Sequence, residues 1–150
     1  MNTLRRLEEN ERSLADLYKI YSENFPEYAE FWKGLSNEEA HHSEILQKAL
    51  KDNELEALIE NKIPPEALLY VENFIKEETT KAKQGKLTHA DALNTALRLE
   101  RSFADSQHFD IFVSKDTRVL ELFRQLDFET DGHVHMLEEE LDKLSIRTFQ

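Results

Sequence analysis

Apolar residues recur at helical spacing along nearly the whole chain, and no stretch shows the period-two alternation of a strand. The first stripe, Leu4, Leu7, Leu14, Tyr18 and Tyr21, predicts a helix over 2–24. Pro26 ends it, because proline has no N–H to continue the ladder. The second stripe is Tyr28, Phe31, Trp32, Leu35, His42, Ile45, Leu46 and Ala49, on a helix over 27–52. A short helix is expected over 54–60. Pro64-Pro65 then breaks the chain and opens a helix over 66–84, which Gly85 stops as a C-terminal cap. Thr88, with Asp91 three residues on, reads as the N-cap of the next helix. Its inward set is Leu93, Leu97, Phe103, Ala104 and Ile111. After a turn at Ser114-Lys115-Asp116, a last helix runs to about Leu144. Val119, Leu122, Phe123, Leu126, His133, Leu137 and Leu141 face inward on it.

Four helices carry the main stripes, in two short-looped pairs. Between the pairs lies a long connection, residues 51–87. A helix of about 19 residues in that connection spans roughly 28 Å, enough to return the chain to the other end of a bundle. The expected fold is therefore all-α: a four-helix bundle with a long crossover connection containing an extra helix, in one domain over 1–150.

Composition narrows the chemistry. Charged residues make up 33% of the 150, with three Gly and three Pro, which favours long helices over a turn-rich sheet protein. Acidic residues outnumber basic ones 31 to 19, for a formal charge of −12, which argues against nucleic acid or an anionic membrane as partner. No long apolar run and no signal peptide is read, so a cytoplasmic protein is expected. Cysteine is absent, which removes thiol catalysis and iron–sulfur ligation. A metal here must be held by His and carboxylate.

One phrase is written twice. "ERSLADLY" begins at Glu11 and "ERSFADSQ" at Glu100, with five of the first six residues the same. Each copy precedes a matching frame: Leu35, Glu39, His42, Leu46 after the first, and Leu126, Thr130, His133, Leu137 after the second. The chain thus reads as two related helical hairpins, each offering a glutamate and then a histidine at equal depth. Glu11 falls between Leu7 and Leu14, and Glu100 between Leu97 and Phe103. A carboxylate inside a bundle is costly unless it is paired or binds a cation. Glu39 and His42 share a helix face and can aim at one point. Carboxylate and imidazole together suit divalent iron, manganese or zinc.

Glu11, Glu39-x-x-His42, Glu100 and His133, in duplicated hairpins with an extra crossover helix, resemble the rubrerythrin-type di-iron domain of the ferritin-like superfamily. The resemblance covers nearly the whole chain. It implies Glu11, Glu39, His42, Glu100 and His133 as ligands of two irons, with Mn or Zn as substitutes. It also implies reduction of peroxide or O2 coupled to Fe(II) oxidation, with a homodimer kept open as the assembly. Thr130 stands where the family pattern asks for a glutamate. Neighbouring Glu129 is the expected stand-in, and either one iron is held weakly or a single metal is bound. Gly132, next to His133, is a place where the helix can distort to bring Glu129 inward. Rubrerythrins proper carry a Cys-ligated rubredoxin domain, so this chain would need an external electron donor.

The other polar residues receive plainer expectations. Tyr18 either hydrogen-bonds a ligand carboxylate or packs in the core, and Gln107 takes its place in the other half. Glu38 and His41 are expected at the surface, as are His89, His108 and His135. Glu8-Glu9, Glu77-Glu78 and Glu138 to Glu140 are expected to be solvated. Trp32, Phe25 and Phe31 read as core. Three functions stay open: a rubrerythrin-type oxidoreductase, a metal-binding protein without turnover, and a helical scaffold that has lost its metal.

Overall fold

The computed structural model describes residues 3–59, 64–107 and 116–148. The described residues form six α-helices and no strand: α1 (Thr3–Asn24), α2 (Ala29–Leu50), α3 (Asn53–Ile59), α4 (Pro65–Lys83), α5 (His89–Gln107) and α6 (Thr117–Thr148). A 3-10 turn, Pro26–Tyr28, joins α1 to α2. The expectations for Ile111 and His108, and for the turn at 114–115, lie outside the described residues. So do those for the side chains of Ala104 and Gln107.

The boundaries follow local chemistry. Phe25 leaves the helix by bonding its N–H to Tyr21 O at 2.9 Å, and Pro26 sets the tight turn that follows. Asp52 caps α3 by accepting the Leu55 N–H at 3.1 Å. Pro65 occupies the first turn of α4, where no N–H is needed. Gly85 ends α4 at φ +68, a left-handed conformation that glycine adopts without a Cβ penalty. Thr88 and Asp91 cap α5 reciprocally, each side chain taking the other's backbone N–H at 3.1 and 3.0 Å.

The helices form two hairpins, α1 with α2 and α5 with α6, while α4 lies along α1. Asn10 Nδ2 donates to Leu68 O at 3.1 Å and Asn24 Nδ2 donates to Ala82 O at 2.9 Å. Both links span the same sequence offset, so α1 and α4 run parallel. The chain therefore descends through α2, climbs back along α4, and starts α5 beside the start of α2. There Trp32 meets His89. The core between the hairpins is built of Leu7, Leu14, Tyr18, Tyr21, Trp32, Leu35, Leu97, Phe103, Phe123 and Leu126, all buried. Burying each such large apolar side chain is worth about 1.5–3 kcal/mol. Among the described residues no helix is long and apolar enough to cross a membrane.

The predicted stripes are buried as a set, with Tyr28, Phe31, Ile45, Leu122 and Leu141 only partly covered. Several surface expectations are corrected. Glu8 is buried, because Ser43 Oγ and Gln47 Nε2 donate to its Oε1 at 3.3 and 2.7 Å. Glu78 is buried against Lys81 at 3.1 Å. His89 is buried between Tyr28 and Trp32.

Candidate metal centre

Four helices each contribute to one buried cluster. Glu11 comes from α1, Glu39 and His42 from α2, Glu100 from α5, and His133 from α6. None of the five is more than 3% exposed. The helical period explains the placement: each acidic or imidazole side chain sits in a stripe that is otherwise apolar, so burying the stripe buries the charge with it.

Glu39 lies at the centre. Its Oε1 is 3.0 Å from His133 Nδ1 and its Oε2 is 3.3 Å from His42 Nδ1. His42 Nδ1 also faces Glu11 Oε2 at 3.6 Å, and His133 Nδ1 faces Glu100 Oε1 at 3.4 Å. Two groups result, Glu11–Glu39–His42 and Glu39–Glu100–His133, each with its ligand atoms within 4.8 Å of one another. Glu39 belongs to both. The two imidazoles lie nearly parallel, 5.6 Å apart.

Two further carboxylates meet the outer edges of the rings. Glu129 Oε2 on α6 lies 2.9 Å from His42 Nε2, and Glu38 Oε2 on α2 is in close contact with His133 Nε2. Each hairpin thus sends a glutamate to the other's histidine. Glu129 does approach the site, but at the far nitrogen of His42, away from the Nδ1 that faces Glu11 and Glu39. Glu38 was expected at the surface; its side chain is indeed 55% exposed, yet its carboxylate reaches a buried ring. The repeated frame already held the signal, since Glu38 and Glu129 each stand three residues after the matched leucines Leu35 and Leu126. His41, one residue before His42, is exposed as expected.

Thr130 is buried and turned back on its own helix, donating its Oγ1–H to Leu126 O at 2.7 Å. It satisfies itself and offers the cluster no anion. Tyr18 is fully buried and donates its hydroxyl to Glu100 Oε1 at 2.9 Å, the hydrogen-bonding alternative of the two left open.

The electrostatics are those of a cavity short of cations. Burial alone lowers the basicity of His42, but the Glu11 and Glu39 carboxylates outweigh it and push its pKa up to about 11. His133 follows the same balance, with burial opposed by Glu100 and Glu39, and rises to about 12. Burial, then the charges of Glu100 and Glu11, holds Glu39 well above the usual carboxylate range. Burial would raise Glu100 as well, but the His133 hydrogen bond and charge bring it below that range. Burial, followed by the Glu100 charge, raises Tyr18 and keeps it a neutral donor. In the metal-free cluster the charge balance is therefore shared: protons are favoured on Glu39 and on both imidazoles, and the Glu39 charge that helps raise the two histidines is the one that burial disfavours.

Hydrogen bonding is nonetheless incomplete. Both oxygens of Glu11, Oε2 of Glu39, and both ring nitrogens of His42 are buried without a hydrogen-bond partner. Buried polar atoms are almost always paired. Glu11, Glu39 Oε2 and His42 Nδ1 lie together, whereas His42 Nε2 faces Glu129; the inner oxygens and imidazole nitrogen fit a divalent cation as the missing partner. No protein-family model, no curated protein and no solved structure matches the chain.

Proposed function

We propose that this chain is a di-iron carboxylate protein of ferritin-like, rubrerythrin-type architecture, and that it reduces peroxide or O2 with oxidation of Fe(II). The observation that carries the reading is the buried set of ligand atoms on Glu11, Glu39 and His42 that lack a hydrogen bond, next to the Glu100–His133 pair. The same reading takes the two hairpins as the halves of a four-helix bundle related by a pseudo-twofold axis, with α3 and α4 as the crossover.

In this assignment Glu11, Glu39 and His42 hold one metal position, and Glu39, Glu100 and His133 hold the other, with Glu39 shared. Bound iron would supply the one-electron chemistry by which peroxide or O2 is reduced. The chain's own residues orient and tune. Glu38 and Glu129 sit on the outer ring nitrogens, where a carboxylate fixes the imidazole's rotation and raises its basicity as a ligand. Tyr18 fixes the rotamer of Glu100. Two divalent ions against the three inner carboxylates leave one positive charge; Glu38 and Glu129 reverse it to one negative charge. The outer pair thereby supplies part of what a glutamate at position 130 would have provided.

Anaerobic titration with Fe(II), followed by calorimetry, and iron-edge anomalous scattering from crystals test the assignment together. Two ions between Glu11 and His133 are expected, with peroxide consumed by the loaded protein faster than by free Fe(II). Metal uptake without accelerated peroxide consumption would favour the second reading, a protein that holds iron without turnover, which Thr130 speaks for. No uptake at all would leave a helical scaffold.

A further inference from the structure

A polar thread runs out of the carboxylate cluster through the aromatic core. Tyr18, hydrogen-bonded to Glu100, lies 5.4 Å from Trp32, ring centre to ring centre. Trp32 is completely buried, and its indole Nε1–H donates to His89 Nε2 at 3.0 Å. His89 in turn stacks flat on Tyr28, 3.7 Å away at 9°. Tyr28 and Phe25 are half-buried beside exposed Pro26 and Glu27, so the thread ends at the surface. Because Nε2 of His89 accepts from Trp32, its hydrogen is on Nδ1, which is buried without a hydrogen-bond partner. Packing alone does not explain this pairing. A core that needed only volume would be filled with apolar rings, whereas here a buried N–H is handed to a buried base.

Resting on the metal reading above, we infer that Trp32 is a redox station between the metal centre and the surface at Tyr28. An electron leaves Trp32 towards the centre across Tyr18, driven by the peroxide or O2 reduced there. As it leaves, the indole N–H bond breaks and a new N–H bond forms on His89 Nε2. The products are a neutral indolyl radical and an imidazolium. A small one-electron donor that docks at Tyr28 returns the electron, and the proton goes back from His89 to the indole. The relay answers a need the sequence itself creates, since a chain without cysteine carries no iron–sulfur donor and must take electrons from outside.

Photo-oxidation at the surface tests this without any metal. The chain has no cysteine, so Glu27→Cys gives a single attachment point for a ruthenium photo-oxidant beside Tyr28. A laser flash on the labelled, metal-free full chain should produce the visible absorption band of a neutral tryptophan radical. Trp32→Phe should lose that band. His89→Gln keeps a hydrogen-bond acceptor but removes the base, and should shift the band to that of the protonated radical cation. The second variant spares the buried Trp32 volume, so it decides the question even if Trp32→Phe folds poorly. No tryptophan radical, a band that survives Trp32→Phe, or a neutral-radical band in His89→Gln would overturn the relay. With Fe(II) bound, as calorimetry would establish, the radical should decay faster because the centre returns an electron through Tyr18. An unchanged lifetime despite measured uptake would overturn the link to the centre. Absent uptake refutes the metal reading instead, and the flash on metal-free protein still decides the Trp32–His89 step.

Discussion

Glu39→Gln should change the stability of the metal-free protein little and lower that of the metal-bound protein. Among the described residues Glu39 is the one carboxylate within reach of both imidazoles, at 3.0 and 3.3 Å. Burial and the neighbouring carboxylates disfavour its charged form, so the neutral amide resembles the state that the metal-free fold already prefers. An amide of the same shape should therefore change the stability of the metal-free protein little, within about 1 kcal/mol. With metal the effect is larger and unfavourable. A ligand at a hundredfold excess over its Kd stabilises the native state by about 2.7 kcal/mol. For a chain of this size that corresponds to roughly 5–10 °C in Tm. Losing the shared ligand should remove most of that shift.

The assay is thermal unfolding followed by circular dichroism, for parent and Glu39→Gln, each with chelator and with Fe(II) or Mn(II). The reasoning predicts a divergence: the variant close to the parent with chelator, and several degrees below it with metal. A variant much less stable than the parent under chelator, with no metal-dependent shift in either, would refute it. Glu39 would then be an ordinary buried ion-pair partner of the two histidines.

Thr130→Glu should enlarge the metal-induced Tm shift beyond the parent's, and equal shifts would mean that Glu38 and Glu129 already supply the missing charge. Glu38→Gln and Glu129→Gln should each weaken metal affinity by about 10–100-fold in calorimetric titrations, as loss of a carboxylate behind a ligating imidazole does; unchanged affinity would make both spectators. Loading should release protons, because Glu39 and both imidazoles hold them in the metal-free cluster. Calorimetry in buffers of different ionisation enthalpy measures the number, and none released would contradict the charge balance described above. Burial lowers the pKa of His89, so the fold prefers it neutral. Its stabilising contribution is complete above the ordinary histidine value of about 6.5 and is lost as pH falls below it. Urea midpoints of the parent should therefore fall more steeply with acid than those of His89→Gln, and parallel curves would refute the assignment.

The sequence was most informative where one periodicity governed a long segment. The stripes of α1, α2 and α6 needed only the 3.6-residue period and the Pro and Gly signals at 26, 64–65 and 85 to be placed within a few residues. Glu11, Glu39, His42, Glu100 and His133 were legible because the duplicated frame gave two independent statements of the same depth. Glu38 was not, since period alone puts it off the stripe. Only its length and the proximity of α6 bring its carboxylate to His133. Glu8 was hidden by its acidic neighbour Glu9, although its partners Ser43 and Gln47 lie one turn apart on α2. His89 was expected at the surface. Its burial depends on where α2 begins, which is a tertiary fact.

The departure from symmetry at Thr130 has a physical logic of its own. A glutamate there would place four carboxylates around two imidazoles, and without metal the cluster would carry repelling charge inside a dry core. Thr130 removes one of those charges and closes its own hydrogen bond to Leu126. With one carboxylate fewer, and with Glu39 held above the usual carboxylate range, the empty cluster carries less buried negative charge. The carboxylates that two divalent ions would still call for stand further out, on Glu38 and Glu129 at the outer ring nitrogens. Under the proposed metal reading, such an arrangement would trade metal affinity for a lower charge cost in the empty core. If the proposed metal binds, the position on the Thr130 side should be the weaker of the two.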